Sequence, residues 1–148
     1  MIKPCLLDTS VVSALAPDRV RPPGEVEAWL RARDGELHLS TITVAEIEQG
    51  ICKLRRAGGA ERAARLTEWL DRLLETFDDR LIHVDAEIGR AAGRMSDAAT
   101  AKGVNPGLAD VLIAATARTR DLLLLTRNGR HFDALGVAHA DPFVALPD

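Results

Sequence analysis

Two carboxylates in this chain stand where a merely solvated group is not expected. Asp8 is the sole charged residue between Lys3 and Asp18 and directly follows an apolar run, Cys5–Leu7. Asp110 is the sole ionisable residue between Lys102 and Arg118, inside the otherwise apolar stretch LADVLIAATA. A carboxylate carried into such surroundings costs several kcal/mol (~2–7 for an unmet polar group, more for a charge) unless a cation or donors meet it. Glu46 opens a third apolar-periodic segment, and Asn128 follows a fourth apolar run, 122–126. Carboxylates gathered at one place repel and raise each other's pKa unless a divalent ion holds them ionised. Oxygen-only ligands suit Mg²⁺ or Mn²⁺, which keep several waters and so leave positions open for a substrate phosphate and an attacking water. Each residue also has a purely structural reading. Asp8 or Ser10 can cap the helix that follows, Thr43 and Glu46 have the T-x-x-E spacing of a capping box, and Asn128 can cap the next short helix.

The elements that must position these groups alternate along the chain. Cys5–Leu7 reads as a strand, followed by a polar turn and a short helix at 11–16; Pro17, Pro22, Pro23 and Gly24 make a loop; Val26, Trp29 and Leu30 stripe a short helix ending near Gly35. Leu37–Ser40 is a second strand, and 43–54 a helix with Val44, Ile47, Ile51 and Leu54 on one side and Glu46 in its first turn. Gly58 and Gly59 break it, and 61–77 resumes with Leu66, Leu70, Leu73, Leu74 and Phe77, so that the two form an αα-hairpin. Residues 81–84 are a third strand; Ile88, Ala91, Ala92, Met95 and Ala99 face inward from a helix ending at Gly103; Asn105 and Pro106 open the helix that carries Asp110 as cap and first-turn proline. With no polar face apart from Asp110 and Thr116, that helix reads as buried from 108 to 117. The run 122–126 is a strand buried on both faces, 131–135 one helical turn, and 136–139 a last short strand. Strands alternating with helices predict an α/β domain with a central, mainly parallel sheet flanked by helices and right-handed crossovers. In such sheets ligands bind outside the carboxyl ends of the strands, where Asp8, Glu46, Asp110 and Asn128 can converge.

Composition bounds the function. A chain of 148 residues, 47% hydrophobic and 28% charged, has the makings of one globular domain, 1–148, with a real core. A net charge of -3 gives no global attraction to nucleic acid, so a polyanionic substrate must be held by local Lys/Arg clusters and a metal. Aromatics are 3% with no Tyr, which argues against a sheet surface that stacks several bases. Cys5 and Cys52 suggest neither a disulfide framework nor a zinc site, and the four His show no ligand spacing. Without a leader or a membrane-length apolar run, the expectation is a soluble, cytoplasmic protein. The outer Arg55, Arg56, Arg62 and Arg65 of the hairpin read as solvated surface or as an RNA patch. Its Leu and Ile exceed what one sheet face needs, which predicts a groove for another chain.

Four motifs together, LLDTSVVSAL, LSTITVAEIEQG, ADVLIAATA and TRNGRHF, resemble the PIN-domain ribonucleases, in the branch of VapC-like toxins of type II toxin-antitoxin pairs that includes FitB-like proteins. The similarity covers nearly the whole chain in the expected order. It implies a metal-dependent endoribonuclease using Mg²⁺ or Mn²⁺, a homodimer, and a cognate antitoxin that lies along the apolar groove and places a basic side chain, an Arg, in the acidic pocket. By motif, Asp8 matches the first acid, Glu46 the second and Asp110 the third, all three as catalytic and metal-holding residues. Asn128 falls where relatives often carry a fourth acid, and His131 where many have an Asp before the Phe. That difference implies a site holding one metal firmly and a second only with substrate, with Asn128 in a supporting role and Thr9, Ser10 and Thr126 as hydroxyl partners. Two alternatives stand beside this reading: a PIN-like module that binds protein or RNA without cutting, and a DNA-cutting PIN nuclease.

Overall fold

A computed structural model describes residues 3–148. Five short strands, β1 (Cys5–Leu7), β2 (Leu37–Ser40), β3 (Leu81–Ile82), β4 (Leu123–Leu125) and β5 (His139–Ala140), form one sheet in the order β3-β2-β1-β4-β5, and every pair is parallel. Parallel neighbours need crossovers, and helices supply them. These are α1 (Thr9–Ala14), α2 (Gly24–Ala32), α3 (Thr41–Arg56), α4 (Ala60–Thr76), α5 (Ala86–Ala101), α6 (Leu108–Thr119) and α7 (Arg130–Asp133). The α/β class with a parallel sheet is therefore as expected, and so is the hairpin, which turns at Gly58 with φ +94°.

The two-residue period of the strands sorts the core into two layers. Cys5, Leu7 and Leu125 face one way and pack with Val12, Leu30, Ile51, Leu70 and Phe77 of α1 to α4 and the turn after α4. Leu6 and Leu124, both wholly buried, face the other way onto Ile88, Met95, Ile113 and Phe132 of α5, α6 and α7. The central strands β1 and β4, paired Leu6 to Leu124 and Leu7 to Leu125, thus have no wet face, which is why they read as continuous apolar runs.

Several local boundaries differ from expectation. The first helix begins at Thr9, straight after Asp8. Residues 34–36 form a separate 3₁₀ turn after α2. The third strand stops at Ile82 and the last begins only at His139, because edge strands with one partner need less ladder. α6 begins at Leu108 with Gly107 as its N-cap and no capping side chain, so Asn105 and Pro106 precede the helix instead of opening it. It is buried from Val111 to Ala117 apart from Leu112, while Leu108 is 72% exposed, and Asp110 sits at the transition. Among the described residues no helix is long and apolar enough to cross a membrane. Both cysteines are free, and burial pushes the Cys5 thiol up to about 11, so at neutral pH it is an unreactive core group.

Candidate active site

The order in which strands are added to the sheet reverses between β1 and β4: β2 and β3 follow β1 on one side, while β4 and β5 lie on the other. A crevice opens at the carboxyl ends of strands at such a switch point. Asp8 follows β1 there, and Thr126, Arg127 and Asn128 follow β4. The ladder runs on through the Asp8 amide, which donates to the Leu125 carbonyl at 2.9 Å, so the Asp8 backbone is fixed by the sheet itself.

Asp8 is 4% exposed. Its Oδ2 accepts from the Ser10 hydroxyl at 2.7 Å and the Thr126 hydroxyl at 2.8 Å. Those hydroxyls accept in turn from the backbone N–H of Arg127 (3.0 Å) and of Asn128 (3.0 Å). One carboxylate oxygen is therefore held between the two strand ends, and no side chain among the described residues bonds the other. The Asp8 side chain does not cap α1, so its capping reading fails: the carboxylate is spent across the sheet, not on its own helix.

Glu46 lies in the second turn of α3, not the first, because that helix starts two residues earlier than its periodicity suggested. Its N-cap is Ser40, whose hydroxyl accepts from the Ile42 N–H at 3.0 Å, so Thr43 and Glu46 do not form a capping box. Glu46 Oε1 instead accepts from the Thr9 hydroxyl at 2.6 Å, and Thr9 Oγ1 lies 3.0 Å from the Thr43 hydroxyl. Asp110 is half-exposed, and its Oδ2 stands 3.3 Å from His131 Nδ1. Burial pushes its carboxyl above the usual carboxylate range, the negative charge of Asp8 pushes it further, and His131 pulls it back.

Asp8, Glu46, Asp110 and Asn128 line one cleft of about 240 Å³ together with Thr9, Ser10 and Ser13. All four expected site residues are thus brought together from positions spanning 120 residues of sequence. Asn128 is exposed, and its carbonyl accepts from the His131 N–H while Gly129 takes the cap position of α7. Among the described residues no three of the acidic, His or Cys side chains close on a common point; each carboxylate has its own protein partner. The donor set nonetheless fits a hard cation. It is all oxygen, it places three acids on one cleft, and burial followed by the charge of Asp8 disfavours ionisation of Asp110, the setting in which a cation is favoured.

Sequence reasoning missed His131 as the donor that meets Asp110, and missed Ser13. The signal for Ser13 was available: it lies four residues after Thr9, on the same helical face. For His131 none was, since its approach depends on where α7 lands against α6. The hairpin groove is present beside the cleft, about 390 Å³ in volume, with Glu46, Ile47, Leu54, Leu66 and Trp69 among its walls. Of the hairpin arginines, Arg62 pairs with Asp18.

Residues 5–137 match the model of the PIN domain. The chain is 34% identical over 140 residues to toxin FitB of Neisseria gonorrhoeae, covering 93% of this chain and 97% of that one. It is 31% identical over 139 residues to the VapC ribonuclease Y4jK of Sinorhizobium fredii, covering 93% and 96%. In three dimensions it is similar to the crystal structure of FitAcB from Neisseria gonorrhoeae, with a TM-score of 0.80 at 32% identity over 94% of this chain and 98% of that one. A match over this span, with an acid at the end of β1, another on α3 and a third on α6, leads to one conclusion: the chain belongs to the PIN domain family.

Proposed function

We propose that this chain, as one PIN domain over 1–148, is a metal-dependent endoribonuclease and the toxin of a type II toxin-antitoxin pair. The observation that carries the reading is the convergence of Asp8, Glu46 and Asp110 on one cleft at the strand ends. The relatives named toxin and ribonuclease support the substrate class and the biological role.

Asp8, Glu46 and Asp110 would hold Mg²⁺ or Mn²⁺ directly or through its waters. Such an ion, when bound, polarises a phosphate oxygen and lowers the pKa of a water. The chain's own part is to orient the acids. Ser10 and Thr126 fix Asp8 by two hydrogen bonds to a single oxygen, Thr9 holds Glu46, and His131 stands against Asp110. Asn128 contributes a neutral carbonyl oxygen able to bond a water, which suits a supporting role. The low exposure of Asp8 limits solvent screening at that carboxylate, which strengthens its electrostatic interactions.

The antitoxin would lie in the hairpin groove, whose walls include Glu46 of the cleft itself, and an Arg from it would pair with the carboxylates as a fork. A homodimer completes the proposal. Cleavage of an RNA panel by purified protein with Mn²⁺ or Mg²⁺ tests the chemistry, with DNA in the same panel. RNA is cut, and Asp8→Asn and Asp110→Asn each abolish cutting while remaining folded. Either variant cutting as well as the parent protein overturns the assignment. Co-expression with the adjacent reading frame tests the partner, since a monomer with nothing copurifying removes the toxin role.

A further inference from the structure

The acidic cleft by itself repels the polyanion it would cut, and the chain's net charge of -3 offers no help at long range. A second cavity, of about 350 Å³, adjoins it and shares Ser10 and Ser13 with it; its other walls include Arg19, Arg127 and Phe143. Arg127 differs from the ion-paired arginines of this protein. Arg21, Arg33, Arg62, Arg80 and Arg120 are each paired with a carboxylate, whereas Arg127 and Arg19 make no ion pair among the described residues.

Arg127 is also held in place without being neutralised. Its guanidinium carbon lies 4.3 Å from the centroid of the Phe143 ring, a cation–π contact that restrains the side chain but leaves its donors free. Phe143 is itself anchored. It packs against the core on the α1–α4 side, and its N–H donates to the Asp141 carboxylate at 2.9 Å in the turn after β5. The Arg127 backbone N–H donates to Ser10 Oγ, the same hydroxyl that donates to Asp8. One hydroxyl thus ties the cation to the acid. Phe143 lies beyond residues 5–137, so this support is outside the span that defines the family match.

We propose that Arg127, held on Phe143 and assisted by Arg19, binds a phosphate of single-stranded RNA next to the scissile one, making the adjoining cavity a substrate-positioning subsite. For its substrate class the inference rests on the ribonuclease reading of the acidic cleft. A planar guanidinium fork matches two phosphate oxygens, and a restrained one loses less freedom on binding. The ring face occupied by Arg127 is not available to a base, so Phe143 serves the cation instead of stacking. RNA lying with one phosphate on Arg127 presents its neighbour to the cleft on the other side of Ser10.

Binding of a short fluorescent single-stranded RNA, measured by anisotropy in chelator at low salt, tests this without cleavage. Arg127→Ala raises Kd about tenfold and lowers the slope of log Kd against log salt by about 0.7, the loss of one phosphate contact on a single strand. Arg127→Lys keeps the slope but recovers only part of the affinity, because charge returns without the fork. Phe143→Leu, which keeps an apolar side chain on the core, weakens binding less than Arg127→Ala. Thermal melts of all three check folding; the exposed Arg127 side chain makes its variants the decisive ones. Under turnover with Mn²⁺, Arg127→Ala raises KM at least as much as it lowers kcat. An Arg127→Ala protein that binds with the parent's affinity and salt slope overturns the subsite, whether or not RNA is cut. Normal sensitivity to Arg127→Ala in a protein that cuts no RNA overturns the ribonuclease reading and leaves the phosphate site standing.

Discussion

The two walls of the acidic cleft are built on different principles. On the sheet wall, Asp8 is almost fully buried, its backbone belongs to the β1–β4 ladder, and two hydroxyls grip one of its oxygens. On the helix wall, Glu46 and Asp110 ride on α3 and α6, and each meets a single side-chain partner, Thr9 or His131. Asp110 is also the acid whose ionised form is disfavoured by burial and by Asp8. The sheet wall is a fixed reference and the helix wall an adjustable one. A carboxylate gripped by two donors on a laddered strand end has few alternatives, whereas a side chain on a helix with one donor can swing toward an incoming charge at low cost.

The sharpest way to break that comparison is to neutralise one acid on each wall. Asp8→Asn and Asp110→Asn both lower metal-dependent cleavage by about a hundredfold or more, the scale at which fixed transition-state electrostatics operate, and single-turnover assays on RNA measure it. Their stabilities diverge. Folded Asp110 holds its proton more tightly than the unfolded chain does, so wild type loses stability as pH rises through the ordinary carboxylate range to the raised value. Asp110→Asn removes that loss. It melts higher than wild type at neutral pH, by a few degrees at most, and the gap closes in acid, as thermal melts without divalent ions across pH 3 to 8 record. Equal behaviour at both extremes would show that Asp110 is as well compensated as Asp8.

Removing the grips comes next in size. Thr126→Val takes one of the two hydroxyls from the buried Asp8 carboxylate, removes the acceptor of the Asn128 N–H, and costs about 1–3 kcal/mol in urea unfolding. Thr9→Val on the helix wall costs under about 1 kcal/mol, because Glu46 can turn to water, and its effect falls on metal affinity instead. A reversal of that order would make the helix wall the rigid one.

The smallest effect belongs to Asn128→Asp, which keeps cleavage and tightens Mn²⁺ binding by a few-fold, measured by titration calorimetry. Weaker Mn²⁺ affinity in this variant would remove Asn128 from the neighbourhood of the ion.

Much of this arrangement was legible in the chain before any coordinates. Asp8 and Asp110 stood out because each interrupts an apolar segment, and a charge in such a segment demands a partner. Glu46 did not stand out physically: Thr43 three residues before it offered a bland explanation, and only the motif resemblance lifted it. Its actual partner, Thr9, lies 37 residues away, beyond the reach of a local pattern. The capping readings of Asp8 and Glu46 failed for different reasons. Asp8 does stand at the N-cap position of α1, but its carboxylate is taken by Ser10 and Thr126, whereas α3 begins two residues before the expected start, so that Ser40 caps it and Glu46 falls in the second turn.

What the sequence by itself determined is the set of elements and their layering: apolar runs too short for helices became central strands, and periodic stripes became the helices that cover them. That follows from burial alone, which depends on residue type and spacing. Tertiary structure alone decided which donor meets which acid. The strand order places β4 beside β1 and so brings Thr126 to Asp8, the landing of α7 brings His131 to Asp110, and the turn after β5 lays Phe143 under Arg127. Hydrogen bonds and ion contacts act over about 3 Å, and separations that small between residues as far apart in the chain as 8 and 126 are fixed by the packing of whole elements.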